Sequence, residues 1–402
     1  MRKILALVLA LVMALSLCTA TAEEGYSGEI KIWVAENMVE LTQKYCEQFK
    51  TENPMYANIT VLVEAVGEGD AANNIITDVE AGADIYGFAQ DQLSRLVAAN
   101  ALIDVAPDNI EVVKAQNDAG SVAAGTLGET LYAYPMTSDN GYFLYYDKSV
   151  VTDPTSMEQI LKDCEAAGKN VYMEINSGWY QTAFFFGAGC TLTYDVNNTG
   201  DLVKANVDYA SENGLKAFKA MIETAKSPAF VNGSSASNAT NIGALVSGVW
   251  DSTAVQTALG ENYAATKLPT VGGFQMGGFG GFKLLGVKPQ TDEAKLACCD
   301  ALALYLTSAE VQNARFEAAG WGPSNLESQQ ADAVKNNPAL SALASQLAYT
   351  IGQGQYPNEY WSLATQLGDR VLADEFDAAS DEDLMKALEE FQATAASYVT
   401  AE

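Results

Sequence analysis

The sequence predicts an α/β protein of two lobes, each a mostly parallel sheet flanked by helices, and three observations lead there. The chain has 402 residues, more than one compact core usually holds, so it is expected to divide. Runs rich in β-branched residues alternate with stretches of helical period, the pattern of right-handed βαβ units around a parallel sheet. Three glycine-rich or polar breaks, at 137–141, 272–281 and 320–324, fall where a chain leaving one lobe needs to cross. They set the expected boundaries: a leader over 1–22, a first lobe from 23–136 and 279–322, and a second from 137–278 and 323–402.

The leader has the parts of an export signal. Arg2 and Lys3 supply positive charge, an apolar run covers 4–17, and Ala20-Thr21-Ala22 is the small-x-small pattern that a signal peptidase reads. The run is shorter than the ~20 residues that a bilayer-spanning helix needs, so export is expected and not anchoring. Leu15-Ser16-Leu17-Cys18 is similar to a lipobox, with Leu17 where that motif takes a small residue. Free release outside the cytoplasm is therefore expected ahead of a lipid tether on Cys18.

Ile30-Lys31-Ile32-Trp33-Val34 then reads as a buried strand, and Met38, Leu41, Tyr45, Cys46 and Phe49 follow at helical spacing until Asn53-Pro54. A second strand covers 59–66, a second helix 71–81, and a third short strand 83–88, with a helix through Leu93, Leu96 and Val97 behind it. Ligands of such sheets sit beyond the carboxyl ends of the strands. The loops after Val34, Val66 and Phe88 thus share one rim, which carries Glu36 and Asn37, the 68–74 loop, and 88–92.

Leu131-Tyr132-Ala133-Tyr134-Pro135-Met136 is the strand that enters the first crossing, and 142–146 the strand that leaves it. A helix over 155–167, a strand over 170–175, an aromatic-rich helix over 179–186 and a helix over 213–225 follow, and 243–250 is a strand that delivers Trp250 to a loop. The stretch 272–281 lacks both Gly-x-Gly-x-x-Gly spacing and a following Lys-Ser/Thr, so it is read as a return crossing and not as a phosphate cradle. Helices over 294–306 and 309–319 come next, and the chain from 340 onward is helical with a break at 352–357.

Composition narrows the function. The 51 acidic and 22 basic residues give a net charge of −29, or −31 once Arg2 and Lys3 are gone, which repels nucleic acid and anionic lipid. The chain has no histidine, which excludes Ser-His-Asp and Cys-His nucleophilic systems and His-ligated zinc. There is no Cys-x-x-Cys either, so neither a metal nor a cofactor is expected. Five cysteines follow the leader; Cys298 and Cys299 read as small buried hydrophobes, and Cys164 with Cys190 is the one pair to test for a disulfide.

Pyranose rings pack their C–H faces on aromatic rings while their hydroxyls demand carboxylates and amides. Such pairings recur here: Phe88 with Asp91, Tyr142 with Asp139, Trp250 with Asp251, and Tyr360 and Trp361 with Glu359, while Trp179 and Tyr180 open the aromatic helix. Trp33, inside a strand, is expected in the core. Paired carboxylates leave a glycan hydrolase open as a second reading. A peptide or polyamine ligand is favoured by the acidity but not by the aromatic set.

Lys31-Ile32-Trp33-Val34, Gly82-Ala83-Asp84-Ile85, Leu131-Tyr132-Ala133-Tyr134-Pro135 with Tyr146-Asp147-Lys148, Ser247-Gly248-Val249-Trp250-Asp251 and Lys267-Leu268-Pro269 occur in an order and spacing that resembles the extracellular solute-binding proteins of carbohydrate ABC importers, the group that includes the maltose/maltodextrin-binding proteins. The resemblance implies a periplasmic-binding-protein fold, with three hinge crossings between the lobes and a sugar held in the cleft. It implies that Phe88 is the cleft aromatic after the third strand, Asp91 the acid that follows, Asp139 the acid near the first crossing, Tyr180 a second-lobe tyrosine, Trp250 a stacking tryptophan, and Trp361 or Tyr360 the late aromatic. Gln92 stands where maltodextrin binders have arginine, and Phe88 where they have tryptophan. The expected protein is a monomeric, non-enzymatic receptor that captures a mono- or oligosaccharide through Glu36, Asn37 and these residues and passes it to ABC permease subunits.

Overall fold

Alternating burial begins at the first strand: Ile30, Ile32 and Val34 are buried on one face and Trp33 on the other. A strand covered on both faces sits inside a sheet, with helices packed on either side. The computed structural model describes residues 25–399; the expected leader, with Cys18, lies outside the described residues. The first-lobe sheet has the order Thr60–Ala65, Glu29–Val34, Ile85–Ala89, Lys283–Val287, Ala133–Thr137. Its first three strands are parallel, and Lys283–Val287 runs against both its neighbours.

The second-lobe sheet repeats the plan in the order Phe230–Val231, Asn170–Tyr172, Ile242–Ser247, Phe143–Asp147, Tyr263–Thr266, with Phe143–Asp147 antiparallel to both neighbours. In each lobe the reversed strand is the one that has just arrived from the other lobe. It enters next to the edge strand by which the chain leaves for the second time or left before, so the two sheets are tied by strands and not only by loops.

Apolar clusters cover both faces of each sheet. On one side of the first lobe the helix Val39–Glu52 buries Thr42, Tyr45, Cys46 and Phe49, a stripe at helical spacing. Asn53 ends it, its Nδ2 donating to the Phe49 carbonyl at 2.9 Å, before Pro54. At the start of the third strand, Asp84 gathers four partners. Its carboxylate accepts from the Lys31 backbone N–H at 2.9 Å and from Gln290 Nε2 at 3.0 Å, and pairs with Lys295 Nζ at 2.9 Å and Lys288 Nζ at 3.8 Å.

Three features add to what the sequence leads one to expect. Cys164 and Cys190 are free and buried, like Cys46, Cys298 and Cys299, and burial pushes their thiols up to about 12 and about 11. The chain does not join the second lobe at Gly322: Ser324 and Leu326 still exchange backbone bonds with Asp118 and Gln116. Contact with the second lobe resumes at the helix Pro338–Gln346, which packs on Tyr263–Thr266. A hairpin, Leu192–Val196 with Leu202–Val207, is rooted in the second-lobe core, yet Val196 packs on the first-lobe cluster. Its tip passes so close that a Cβ on Gly200, whose φ is +89°, would lie 2.4 Å from the Ser94 carbonyl oxygen, so only glycine fits the turn.

Candidate functional site

Between the lobes lies a cavity of about 570 Å³, within the usual size range of small-molecule sites. Its walls differ in chemistry. The first lobe contributes Glu68, Asp70, Asn73, Asp91, Gln92 and Arg95; Lys283 and Asn140 lie at the crossings; the second lobe contributes Trp179, Tyr180, Trp250, Asn358, Trp361 and Ser362. A polar, charged wall thus faces an aromatic one.

Strand ends place these groups. The third strand, Ile85–Ala89, runs into a one-turn helix over Gln90–Gln92, which sets Asp91 and Gln92 at the carboxyl end of the sheet. Gln92 braces the neighbouring loop: its Oε1 accepts from the Ala72 N–H at 3.1 Å, and its Nε2 donates to the carbonyls of Glu68 at 3.0 Å and Gly69 at 2.9 Å. An amide is suited to this because it both accepts and donates. On the other wall, the strand Ile242–Ser247 leads into the turn Val249–Asp251, which carries Trp250. The Trp250 ring lies directly over Gly248, where a Cβ would come within 2.2 Å of ring carbons.

A buried layer holds the aromatic wall in place. Tyr142 Oη donates to the Trp179 carbonyl at 3.0 Å, and Tyr360 Oη to the Gly178 carbonyl at 2.8 Å. Both tyrosines are at most 1% exposed. Asp251 accepts from Ser247 Oγ at 2.6 Å, and burial raises its carboxyl above the usual range. Tyr142, Tyr360 and Asp251 therefore do not line the cavity, as the sequence leads one to expect, but sit behind it.

Other expected contacts are displaced by one residue. Phe88 is fully buried, with its ring 5.9 Å from that of Tyr86. These residues are two apart on a strand and share its core face, so the cavity receives Ala89 instead. Asp139 is 1% exposed and accepts the Gly322 N–H, tying the first crossing to the segment at Gly322, while its neighbour Asn140 lines the cavity. Glu36 and Asn37 are exposed and outside the lining, because the turn that buries Met38 directs them to solvent. Asp91, Trp179, Tyr180, Trp250 and Trp361 are brought together around one space.

Sequence reading missed Lys283, Arg95, Asn140, Gln353, Asn358 and Ser362. A signal existed for two of them: Asn358, Trp361 and Ser362 are spaced i, i+3, i+4 at the start of the helix Asn358–Leu372 and share a face. Lys283 carries none, since it reaches the cleft only because its strand inserts into the first-lobe sheet.

The lobes also touch directly above the crossings. Gln355 Nε2 donates to the Gln90 carbonyl at 2.8 Å, Gln355 Oε1 accepts from the Ser94 N–H at 2.8 Å, and Gln90 Nε2 bonds the Gln353 carbonyl.

Burial raises the Asp91 carboxyl from 3.8 to about 7, opposed by Arg95. The folded state then holds the proton more tightly than the unfolded chain, so this group costs stability as pH rises from 3.8 toward about 7. Asp91→Asn is expected to raise the thermal midpoint at pH 8 while leaving it unchanged at pH 3.5. Equal shifts at the two pH values, in thermal melts of both proteins, would refute the assignment.

The family model described as bacterial extracellular solute-binding protein matches residues 44–342. Among solved structures, one determined with acarbose is 27% identical, with a TM-score of 0.80 over 92% of this chain and 99% of that one. The maltodextrin-binding protein MalE1 of L. casei BL23, solved without ligand, is 21% identical with a TM-score of 0.75, covering 92% and 99% of the two chains. The GacH receptor of Streptomyces glaucescens, solved unliganded and with acarbose, is 17% identical with a TM-score of 0.76 over 92% and 99%. No curated protein sequence matches the chain.

Proposed function

Because the chain belongs to the bacterial extracellular solute-binding proteins, we propose that it captures an oligosaccharide outside the cytoplasm and presents it, enclosed between its lobes, to the permease of an ABC importer. The observation that carries the choice of ligand is the two-sided cleft. Trp179, Trp250 and Trp361 from one lobe face Asp91, Glu68, Asn73 and Arg95 from the other. Stacking surface on one side and planar hydrogen-bonding groups on the other are what a pyranose needs. The acarbose-bound relatives support the same class.

Mechanism follows from the division of labour. A sugar touching only one wall gains half its contacts; both walls engage it only when the lobes are closed. Binding therefore shifts the open–closed equilibrium by the difference in affinity for the two states. The crossings take up the rotation, and the closed shape is what the permease reads. Receptor action is favoured over hydrolysis by the placement of the acids: the lining carboxylates Glu68, Asp70 and Asp91 all belong to one lobe, whereas glycoside hydrolysis uses two that flank the bond.

A thermal-shift screen against linear oligosaccharides tests the reading, since a ligand at 100 times its Kd adds ~2.7 kcal/mol of stability. The expected result is a raised midpoint with an oligosaccharide, recovery of the sugar without new reducing ends, and a smaller radius of gyration by small-angle scattering. Stabilisation by peptides or polyamines and by no sugar would overturn it.

A further inference from the structure

The polar wall holds more anionic capacity than neutral hydroxyls call for. Glu68 and Asp91 are 7% and 4% exposed, and among the described residues Glu68 Oε1 and Asp91 Oδ1 have no hydrogen-bond partner. A carboxylate in that position is costly to keep ionised without a counter-charge. Two cations share the wall, and each has a nearer partner than Asp91. Lys283 Nζ lies 3.8 Å from Glu68 Oε2 and sits over the Trp321 and Trp250 rings, 3.9 and 5.3 Å from their centres. Arg95 gives Nη1 to Asn73 Oδ1 at 3.1 Å and acts on Asp91 only through its field, so Glu68 has its lysine while, among the described residues, Asp91 has no ion pair. Opposite stand three tryptophans, whose ring faces attract a cation.

Resting on the sugar reading above, we propose that the cleft selects oligosaccharides carrying a basic nitrogen, in place of a hydroxyl or a bridging oxygen, and that Asp91 holds that nitrogen as a cation. A neutral hydroxyl also donates to a carboxylate, but a bond charged on both sides is roughly twice as strong. The amine supplies the ion-pair partner that Asp91 lacks, and the aromatic wall encloses it as the lobes close. The negative net charge of the chain, −29, adds a long-range attraction of the same sign.

Acarbose, whose first two rings are joined through a secondary amine, and maltotetraose, the oxygen-linked oligomer of equal length, are the probes, and the Asp91 variant assigns their difference to the nitrogen. Titration calorimetry at pH 6.5 is expected to give the native protein a preference for acarbose of about tenfold or more, about 1.4 kcal/mol. Asp91→Asn is expected to bring the two within about twofold, and thermal melts of the variant separate this change from loss of fold. Equal affinities in the native protein, or a preference that survives Asp91→Asn, overturn the inference and leave the sugar reading standing. Failure of every oligosaccharide to bind overturns both.

Discussion

Trp250→Ala is expected to weaken oligosaccharide binding by roughly 1–3 kcal/mol, about 5- to 150-fold in Kd. A tryptophan buries 150–250 Å² when fully covered, and a sugar covers part of one indole, so a fraction of the full transfer free energy is lost at ~25 cal/mol per Å². The ring's position is set by the chain before it. Gly248→Ala would put a Cβ within 2.2 Å of the ring, so it should tilt the indole and weaken binding without removing any aromatic surface. Calorimetry on both variants checks this, with thermal melts as a control for folding. Unchanged affinity in Trp250→Ala would remove this residue from the site and, with it, the main support for stacking.

Asp84→Ala is expected to cost about 3–5 kcal/mol of stability, the usual penalty for stranding a buried charge by deleting its partner. Lys288 is only 7% exposed, and burial already pulls its ammonium pKa down while Asp84 opposes the shift. Its other contacts are the carbonyls of Glu80 at 3.1 Å and Gly82 at 3.0 Å, which do not neutralise it. The Lys31 N–H would also lose its acceptor in the first strand. Asp84→Asn should cost less, since an amide oxygen can still accept from Lys31. Urea unfolding measures both; a loss below about 1 kcal/mol for Asp84→Ala would show that the lysines relax into water.

Asp84 also shows how a sequence pattern becomes physics. Gly82-Ala83-Asp84-Ile85 is a recurrent piece of the family resemblance, and its acid proves to be the pin between the first strand, the third strand and Lys295 on the helix Glu293–Leu306. The element order was legible because burial leaves a period in the chain: Ile30 and Ile32 mark a strand, and Tyr45, Cys46 and Phe49 mark a helix. Site residues were less legible: beside Phe88, Asp139 and Tyr360, which are buried, it is Ala89, Asn140 and Trp361 that line the cavity. Aromatic and acidic residues cluster near a site, but a step of one residue along a strand or helix turns a side chain from cavity to core.

By itself the sequence determined the α/β class, the two lobes, the exclusion of histidine chemistry and the aromatic–acid character of the candidate site. These are properties of composition and local period, which survive without knowledge of long-range contacts. Only the tertiary structure decided which of two adjacent residues faces the cleft, that Lys283 reaches it from a strand inserted after the second crossing, that residues 323–331 stay with the first lobe, and that Asp91 Oδ1 is left without a hydrogen-bond partner among the described residues. Each of these depends on segments far apart in the chain arriving at one place, and no local pattern encodes the orientation in which they meet.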